Sequence, residues 1–273
     1  MIQPLLIACV SFILYFIAYH TYGKFIARKL FFIQAKNPVP SHSHYDGKDF
    51  VPSSNQMMFG HHFTSIAGTG PIVGPAIGII WGWVPALIWV LVGSIFMGAV
   101  HDFGALVLSL RHEGRSLADI TGDIIDRRAR NCFFIIVCLA LWIVIAIFGL
   151  VIALIFARFP TSVLAVWLEI PIAIMFGKWL AKSQKGFLFK TIVSVVMLYL
   201  CVYLGILFPI TLPSFSFLPA TGLWTIILLI YAFIASTLPV GLLLQPRDYL
   251  NAWQLYVALA IIVAGMIMSG LTG

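Results

Sequence analysis

Charged side chains are scarce in this sequence. They make up only 9% of the 273 residues, whereas 62% are hydrophobic. Soluble globular domains carry roughly 25% charged residues, so this chain has too few to cover a surface exposed to water. The apolar residues form runs of roughly 20, the length that crosses the hydrocarbon core of a bilayer. Because these runs do not alternate polar and apolar residues, they predict an all-α integral membrane bundle and not a barrel.

Cysteines and catalytic motifs are scarce as well. The four cysteines lie in or beside apolar segments, where a thiol acts as a small hydrophobic side chain, so we predict neither a disulfide framework nor a metal site. The sequence has no HExxH motif, no GxxxxGK[ST] phosphate loop and no Ser/His/Asp set at one membrane depth. We therefore predict no enzyme and no cofactor. The net charge of +7 predicts no nucleic-acid partner, because the cations flank the apolar runs.

Hydropathy and turn residues predict a polytopic protein with the lipid bilayer around it. The eight expected spans lie near residues 2–22, 63–80, 84–110, 132–157, 161–181, 189–210, 222–245 and 251–271. With the N-terminus outside, Arg158 is the only one of the 16 Lys and Arg residues that does not face the cytoplasm, as the positive-inside rule requires. The basic cytoplasmic connections include a long loop from Gly23 to His62. A short amphipathic helix is expected between Arg111 and Arg130.

The second predicted span is rich in residues that interrupt helices. It contains the run HHFTSIAGTGPIVGP from His61 to Pro75. A glycine costs a helix interior about 1 kcal/mol relative to alanine and a proline about 3 kcal/mol, so we predict a break near 68–70, with Pro71 as the first residue of a new half-helix. Backbone N–H groups released at such a break can bind a carboxylate. The predicted substrate-binding residues here are Gly68, Thr69, Gly70, Pro71, Ile72 and Val73.

The seventh predicted span contains a second predicted helix break, at Ser236, Thr237 and Pro239. A proline lacks the N–H that would bond the carbonyl four residues earlier, and the two hydroxyls complete the predicted pocket. Interrupted helices in corresponding positions of two halves indicate a transporter site. With 2–22 as an extra helix, the breaks fit an inverted repeat, the first half over 59–210 and the start of the second over 222–273. The alternative is that glycine and proline only permit close helix packing.

Ionisable residues in or beside the spans are further candidates, because charge is costly to bury in a membrane. The residues predicted to serve coupling or gating are His61, His62, His101, Asp102, Glu169, Arg247 and Asp248. For the first two, a histidine at the entry of the broken helix fits a proton-coupled carrier. The alternative is that both cap a helix start.

The other candidates also have structural alternatives. Asp102 could carry a proton or a sodium ion, with His101 on a different face, or it could pair with a loop arginine. Glu169 could relay protons, or it could be a protonated acid bonded to a neighbouring helix. Arg247 and Asp248 could form a cytoplasmic gate, or they could be loop neighbours that never meet.

Five segments carry a family likeness. They are FGHHFTSIAGTGPIVGPAIG at 59–78, HDFGALVLSLRHEGRSL at 101–117, PVGLLLQPRDYL at 239–250, YHTYGKFIARKLF at 19–31 and YDGKDFVPSS at 45–54. They resemble signature segments of the carbon starvation (CstA) family of bacterial inner-membrane proteins. The resemblance implies a transporter with a LeuT-like inverted-repeat fold that takes up peptides or pyruvate-like carboxylates. It also implies a coupling proton or sodium ion and a link to carbon starvation.

Members of that family continue beyond the position of Gly273. The resemblance therefore implies that 1–273 is an incomplete domain, a shortened relative, or one chain of a split system completed by a C-terminal partner. Two rival functions stay open at this point. The breaks could line a channel, or His61, His62 and His101 could serve a membrane-embedded metalloenzyme.

Overall fold

A computed structural model describes residues 2–34, 36–47, 50–183 and 185–272, and helices form most of these ranges. No strand forms in these ranges, where Phe215 and Leu218 make one isolated bridge. Seven helical runs are long and apolar enough to cross a membrane. They are Pro4–Leu30, Asn55–Trp81, Trp83–Arg111, Arg127–Arg158, Thr161–Lys182, Phe187–Leu207 and Leu244–Gly270. The prediction of a multi-span helical membrane protein is confirmed.

The α-helices are numbered in chain order. They are α1 Ile2–Ala18, α2 Pro40–Ser43, α3 Asn55–Ile66, α4 Thr69–Gly78, α5 Trp83–Ile88, α6 Ala99–Arg111, α7 Leu117–Ile124, α8 Arg127–Arg158, α9 Thr161–Lys182, α10 Phe187–Leu207, α11 Ala220–Ser236 and α12 Leu244–Thr272. Wider π-helical turns extend α1 and join α5 to α6. The short helix predicted between Arg111 and Arg130 is present as α7.

One predicted span is shorter than expected. The seventh, predicted over 222–245, forms only α11, whose 17 residues extend about 26 Å against a hydrocarbon core of about 30 Å. The helix ends at Ser236 because the proline that follows cannot continue it. The last helix then begins at Leu244, earlier than the predicted start at 251. The eight-span prediction is corrected to seven full-length runs and one shorter apolar helix among the described residues.

The outer surface is apolar. The chain exposes 18651 Å², whereas a soluble protein of 30.2 kDa exposes about 12,000 Å². Large apolar side chains such as Trp81 and Phe233 are 83% and 73% exposed. Such a surface is stable where lipid surrounds it, because lipid does not penalise exposed hydrocarbon as water does.

A buried core forms where α3, α9, α10 and α12 meet, and Tyr249 of α12 lies in it. Its ring stacks on Phe176 with 5.7 Å between centroids, and its hydroxyl is 3.1 Å from Thr191 Oγ1. Two glycines permit this approach. A Cβ at Gly60 would lie 2.7 Å from Tyr249 Cδ2, and one at Gly177 would lie 2.8 Å from the Cγ of Pro246. These contacts fix the first turns of α12 against its neighbours.

The turn between α9 and α10 is fixed by a buried cation. Lys190 is 5% exposed, and its ammonium donates hydrogen bonds to the carbonyls of Trp179, at 2.9 Å, and of Ser183. The same ammonium lies 5.3 Å from the centroid of the Trp179 ring. A positive charge at the C-terminus of a helix satisfies its last carbonyls and is attracted to the negative end of the helix dipole. One of the cations that set the predicted topology thus also holds α9 in place.

Candidate functional site

The first predicted interruption is present. Ser54 caps α3 by accepting a hydrogen bond from the N–H of Met57 at 3.3 Å, and α3 ends at Ile66. Gly68 is extended and is the N-cap of α4, which begins at Thr69. Pro71 was predicted to be the first residue of this half-helix, but it is the third. The prediction that the loop runs as far as His62 is wrong, because residues 55–62 are helical.

The second interruption is also present. After α11 ends at Ser236, the chain turns through residues 237–243 before α12 begins. The hydroxyls of Ser236 and Thr237 donate to the carbonyls of Phe233 and Ile234, both at 2.8 Å. They therefore bond carbonyls in the last turn of their own helix, where the Ile234 carbonyl also accepts a hydrogen bond from the N–H of Thr237 at 3.2 Å. Pro239 has no N–H and restricts the residue before it, which keeps the turn from becoming helical.

The two interruptions line different cavities. Gly70 and Pro71 line an apolar groove of about 580 Å³ between α4 and α5, and Ile72 and Val73 beside them are partly exposed. The side chain of Thr69 lies outside what the structure describes. Pro239 instead lines a cavity of about 550 Å³ that also contains His61, Lys178 and Gln245.

Arg247 joins α12 to α9 and α11. Its Nε donates to Glu169 Oε1 at 3.0 Å, and its Nη1 donates to the hydroxyl of Tyr231 at 3.2 Å. Glu169 is only 8% exposed and lies midway along α9, which continues through Pro171. A carboxylate at this depth is stable when it is paired, and the arginine supplies the pairing charge.

Asp248, the next residue, joins α12 to α3. Its Oδ2 lies 2.8 Å from His61 Nδ1, an ion-pair distance without the alignment of a hydrogen bond. Ser65 Oγ donates to the same carboxylate at 3.4 Å, and Thr64 Oγ1 donates to the Asp248 carbonyl at 2.8 Å. Successive residues of a helix point about 100° apart, so neighbours in sequence reach different helices.

Gln245 adds a third connection, which the sequence prediction did not include. Its Nε2 donates to Ser53 Oγ at 2.9 Å and approaches Met58 Sδ at 3.5 Å. Ser53 belongs to the segment YDGKDFVPSS, of which Lys48 and Asp49 lie outside the described residues. The sequence signal for this connection is a run of polar residues, QPRDY, at the start of an apolar helix. The prediction that Arg247 and Asp248 follow a span in a loop is wrong, because they lie in the first turns of α12.

His101 and Asp102 form a separate pair. His101 Nδ1 lies 2.9 Å from Asp102 Oδ1, with side chains 78% and 66% exposed. The prediction that they point to different faces is wrong, since the two side chains meet. The other two histidines lie apart from this pair: His61 contacts Asp248, and His62 is exposed. Within the described ranges no three His, Cys, Asp or Glu side chains are grouped as a metal site.

The interruptions, the buried ion pair and the apolar exterior are features of membrane transport proteins. Charged pairs inside a membrane domain mark substrate and ion pathways, and interrupted helices are typical of secondary transporters. The family model "Carbon starvation protein CstA" matches residues 3–271, and the chain belongs to this family.

Individual relatives are named for transport and not for catalysis. The chain is 35% identical over 254 residues to the peptide transporter CstA of Bacillus subtilis, covering 93% of this chain and 42% of that protein. It is 34% identical over 252 residues to the peptide transporter CstA of Campylobacter jejuni, covering 88% and 34%. It is 33% identical over 258 residues to the pyruvate/proton symporter BtsT of Escherichia coli K12, covering 91% and 35%.

The chain thus spans from about a third to two fifths of the length of these relatives. No solved structure matches it significantly.

Proposed function

We propose that this chain belongs to a secondary transporter of the bacterial inner membrane that takes up peptides or pyruvate-like small carboxylates. Its relatives are named for a peptide substrate and for pyruvate with a proton. The coupling ion in this proposal is a proton or a sodium ion. The functional setting is carbon starvation, after which the family is named.

One observation carries the proposal. The helix that precedes the first interruption, α3, packs on the helix that follows the second, α12, and the His61–Asp248 pair joins them. The Glu169–Arg247 pair then joins α12 to α9. An interrupted helix bends at its break, and a carrier must bend in order to open its site alternately to the two sides. The two pairs are well located to link such movements to a bound ion.

The predicted substrate contacts remain part of the proposal. As the first two residues of α4, Thr69 and Gly70 have backbone N–H groups without helical acceptors, and such groups suit a carboxylate. Gly68, Ile72 and Val73 would shape this end, and Ser236, Thr237 and Pro239 would form the joint that moves. His62, His101 and Asp102 are retained as candidates for coupling.

The architecture and its orientation are proposed in the same way. We place the N-terminus outside and the basic connections in the cytoplasm, because this orientation puts almost every cation on one side. In a LeuT-like inverted repeat, 59–210 would form one half and 222–273 would begin the other. The remaining length that the relatives have would come from the same polypeptide or from a C-terminal partner chain.

Uptake into proteoliposomes tests the function. The intact transporter that contains this chain is reconstituted, and labelled pyruvate and labelled dialanine are added with an imposed proton or sodium gradient. A carrier should saturate and accumulate one of them against its gradient. Uptake that does not saturate, or that only equilibrates, would favour a channel lined by the breaks. Failure to move either solute under any gradient would refute the proposal.

A further inference from the structure

A cavity of about 360 Å³ lies among α8, α9 and α11, and Arg247 is the only charged residue of the described chain that lines it. The wall is otherwise apolar, with aromatic rings from Phe148, Trp167 and Tyr231. Small-molecule sites commonly measure 300–1,000 Å³ and combine apolar walls with a few polar groups. The cavity has the size and the lining of such a site.

The guanidinium has donors to spare. Arginine carries five N–H bonds, and the contacts found among the described residues use one on Nε, for Glu169, and one on Nη1, for Tyr231. A guanidinium binds a carboxylate through two parallel N–H donors, which a fixed fork can present together. Tyr231 and Glu169 hold the fork in one orientation at the edge of the cavity.

From this arrangement we infer that the cavity binds the carboxylate of a small organic acid or peptide, with Arg247 as its anchor and the apolar wall around the rest of the molecule. The inference rests on the proposed transport function and locates its substrate. Phe148 connects it to the first interruption, because a Cβ at Gly68 would lie 3.9 Å from Phe148 Cε1. The ring of Phe148 therefore lies next to both the cavity and the first interruption.

The Glu169–Arg247 pair also gives a reason why substrate binding would be coupled to binding of a positive ion. Glu169 lines a second cavity, of about 370 Å³, together with Ser162, Gln254 and other residues. A substrate carboxylate beside Arg247 would place two anions on one guanidinium. Buried charge must be compensated, so one positive ion would enter with the substrate. Glu169, which faces the second cavity, is the group that would receive it.

Binding to purified protein tests the site apart from transport. Labelled pyruvate and labelled dialanine are measured by equilibrium dialysis, with pyruvamide and dialanine amide as uncharged competitors. The wild type should bind one of the acids, and the amides should not compete. The variant A232W places an indole in the cavity, leaves both residues of the ion pair in the sequence and should weaken binding at least tenfold. Arg247→Gln should do the same, since charge-assisted hydrogen bonds are lost.

The control variant is A140W, on an exposed part of α8 outside the cavity lining, and it should bind as the wild type does. The thermal unfolding midpoint of each variant shows that it is folded. If A232W is folded and binds with unchanged affinity, the site is elsewhere, even if uptake is intact. Competition by the amides would also refute a carboxylate site. If the wild type binds and transports neither acid, both the site and the proposed function fail.

Discussion

His61 of α3 and Asp248 of α12 meet at 2.8 Å, although 187 positions of sequence separate them. His61 lies before the first interruption and Asp248 lies after the second. Their side chains are 27% and 21% exposed, so water screens the pair only in part. The pair links the two interrupted segments directly.

Replacing His61 should therefore reduce coupling. In His61→Gln, the imidazole that faces Asp248 is lost, and we expect gradient-driven accumulation of substrate to fall several-fold while the protein still inserts and folds. The matched control is His42→Gln, since His42 of α2 is exposed and is not among the coupling candidates. Accumulation ratios in proteoliposomes measure both. Equal accumulation by the two variants would contradict a special role for His61.

The Glu169–Arg247 pair should show strong energetic coupling. Removing one partner leaves the other charge buried, which costs about 3–5 kcal/mol. We expect a cost at the lower end of this range, because the arginine side chain is 28% exposed. Glu169→Gln and Arg247→Gln should each destabilise the protein, and the double variant should cost less than their sum. Chemical unfolding in detergent measures this cycle. Additive costs would mean that the pair does not interact.

Gly60 should tolerate no larger side chain. In Gly60→Ala the new Cβ would lie 2.7 Å from Tyr249 Cδ2 and 3.3 Å from Tyr249 Cα, so α3 and α12 would have to separate. Overpacking of this kind costs about 1–3 kcal/mol. In the control Gly265→Ala the Cβ meets nothing within 4 Å, and the helix gains up to about 1 kcal/mol from the lost glycine. A drop in thermal midpoint for Gly60→Ala alone is expected; equal midpoints would refute the close contact.

Gly70 should be replaceable without loss of folding but with loss of transport. A Cβ at Gly70 meets nothing within 4 Å, so Gly70→Leu should fold, and the leucine would cover the first N–H groups of α4. Gly265→Leu is the control, because its surroundings are equally open. Uptake by proteoliposomes should be abolished in the first variant and retained in the second. Normal uptake by folded Gly70→Leu would exclude these N–H groups from the substrate path.

The orientation can be tested by labelling. Single cysteines replace Arg115, before α7, and Phe217, between α10 and α11, in a chain whose four native cysteines are serine. With the N-terminus outside, a membrane-impermeant maleimide should label position 217 in intact cells and position 115 only after lysis. The reverse pattern would invert the topology.

The interruptions could be predicted from sequence because their cause is local. Glycine weakens the helix around Gly68, and proline removes a backbone hydrogen bond between residues only four apart. The same rule predicted an interruption near Pro239. It did not predict that α11 stops there without resuming, because the path after a helix end depends on what the next segment packs against.

The pairing of His101 with Asp102 was missed for a related reason. Helical periodicity separates the Cβ directions of neighbouring residues by about 100°, which led to the prediction of different faces. Side-chain torsions can nevertheless turn both tips toward each other, and in this structure they do. Periodicity gives a direction for each Cβ but not for the atoms beyond it.

The sequence by itself determined that this is a helical membrane protein, where its helices are interrupted, and to which family its motifs belong. Those properties follow from local hydrogen bonding and from apolar length, which the order of residues specifies. Only the tertiary structure decided that Arg247 pairs with Glu169 and Asp248 with His61. These partners are distant in the chain, and they meet because α12 packs closely on α3 and α9 at Gly60 and Gly177.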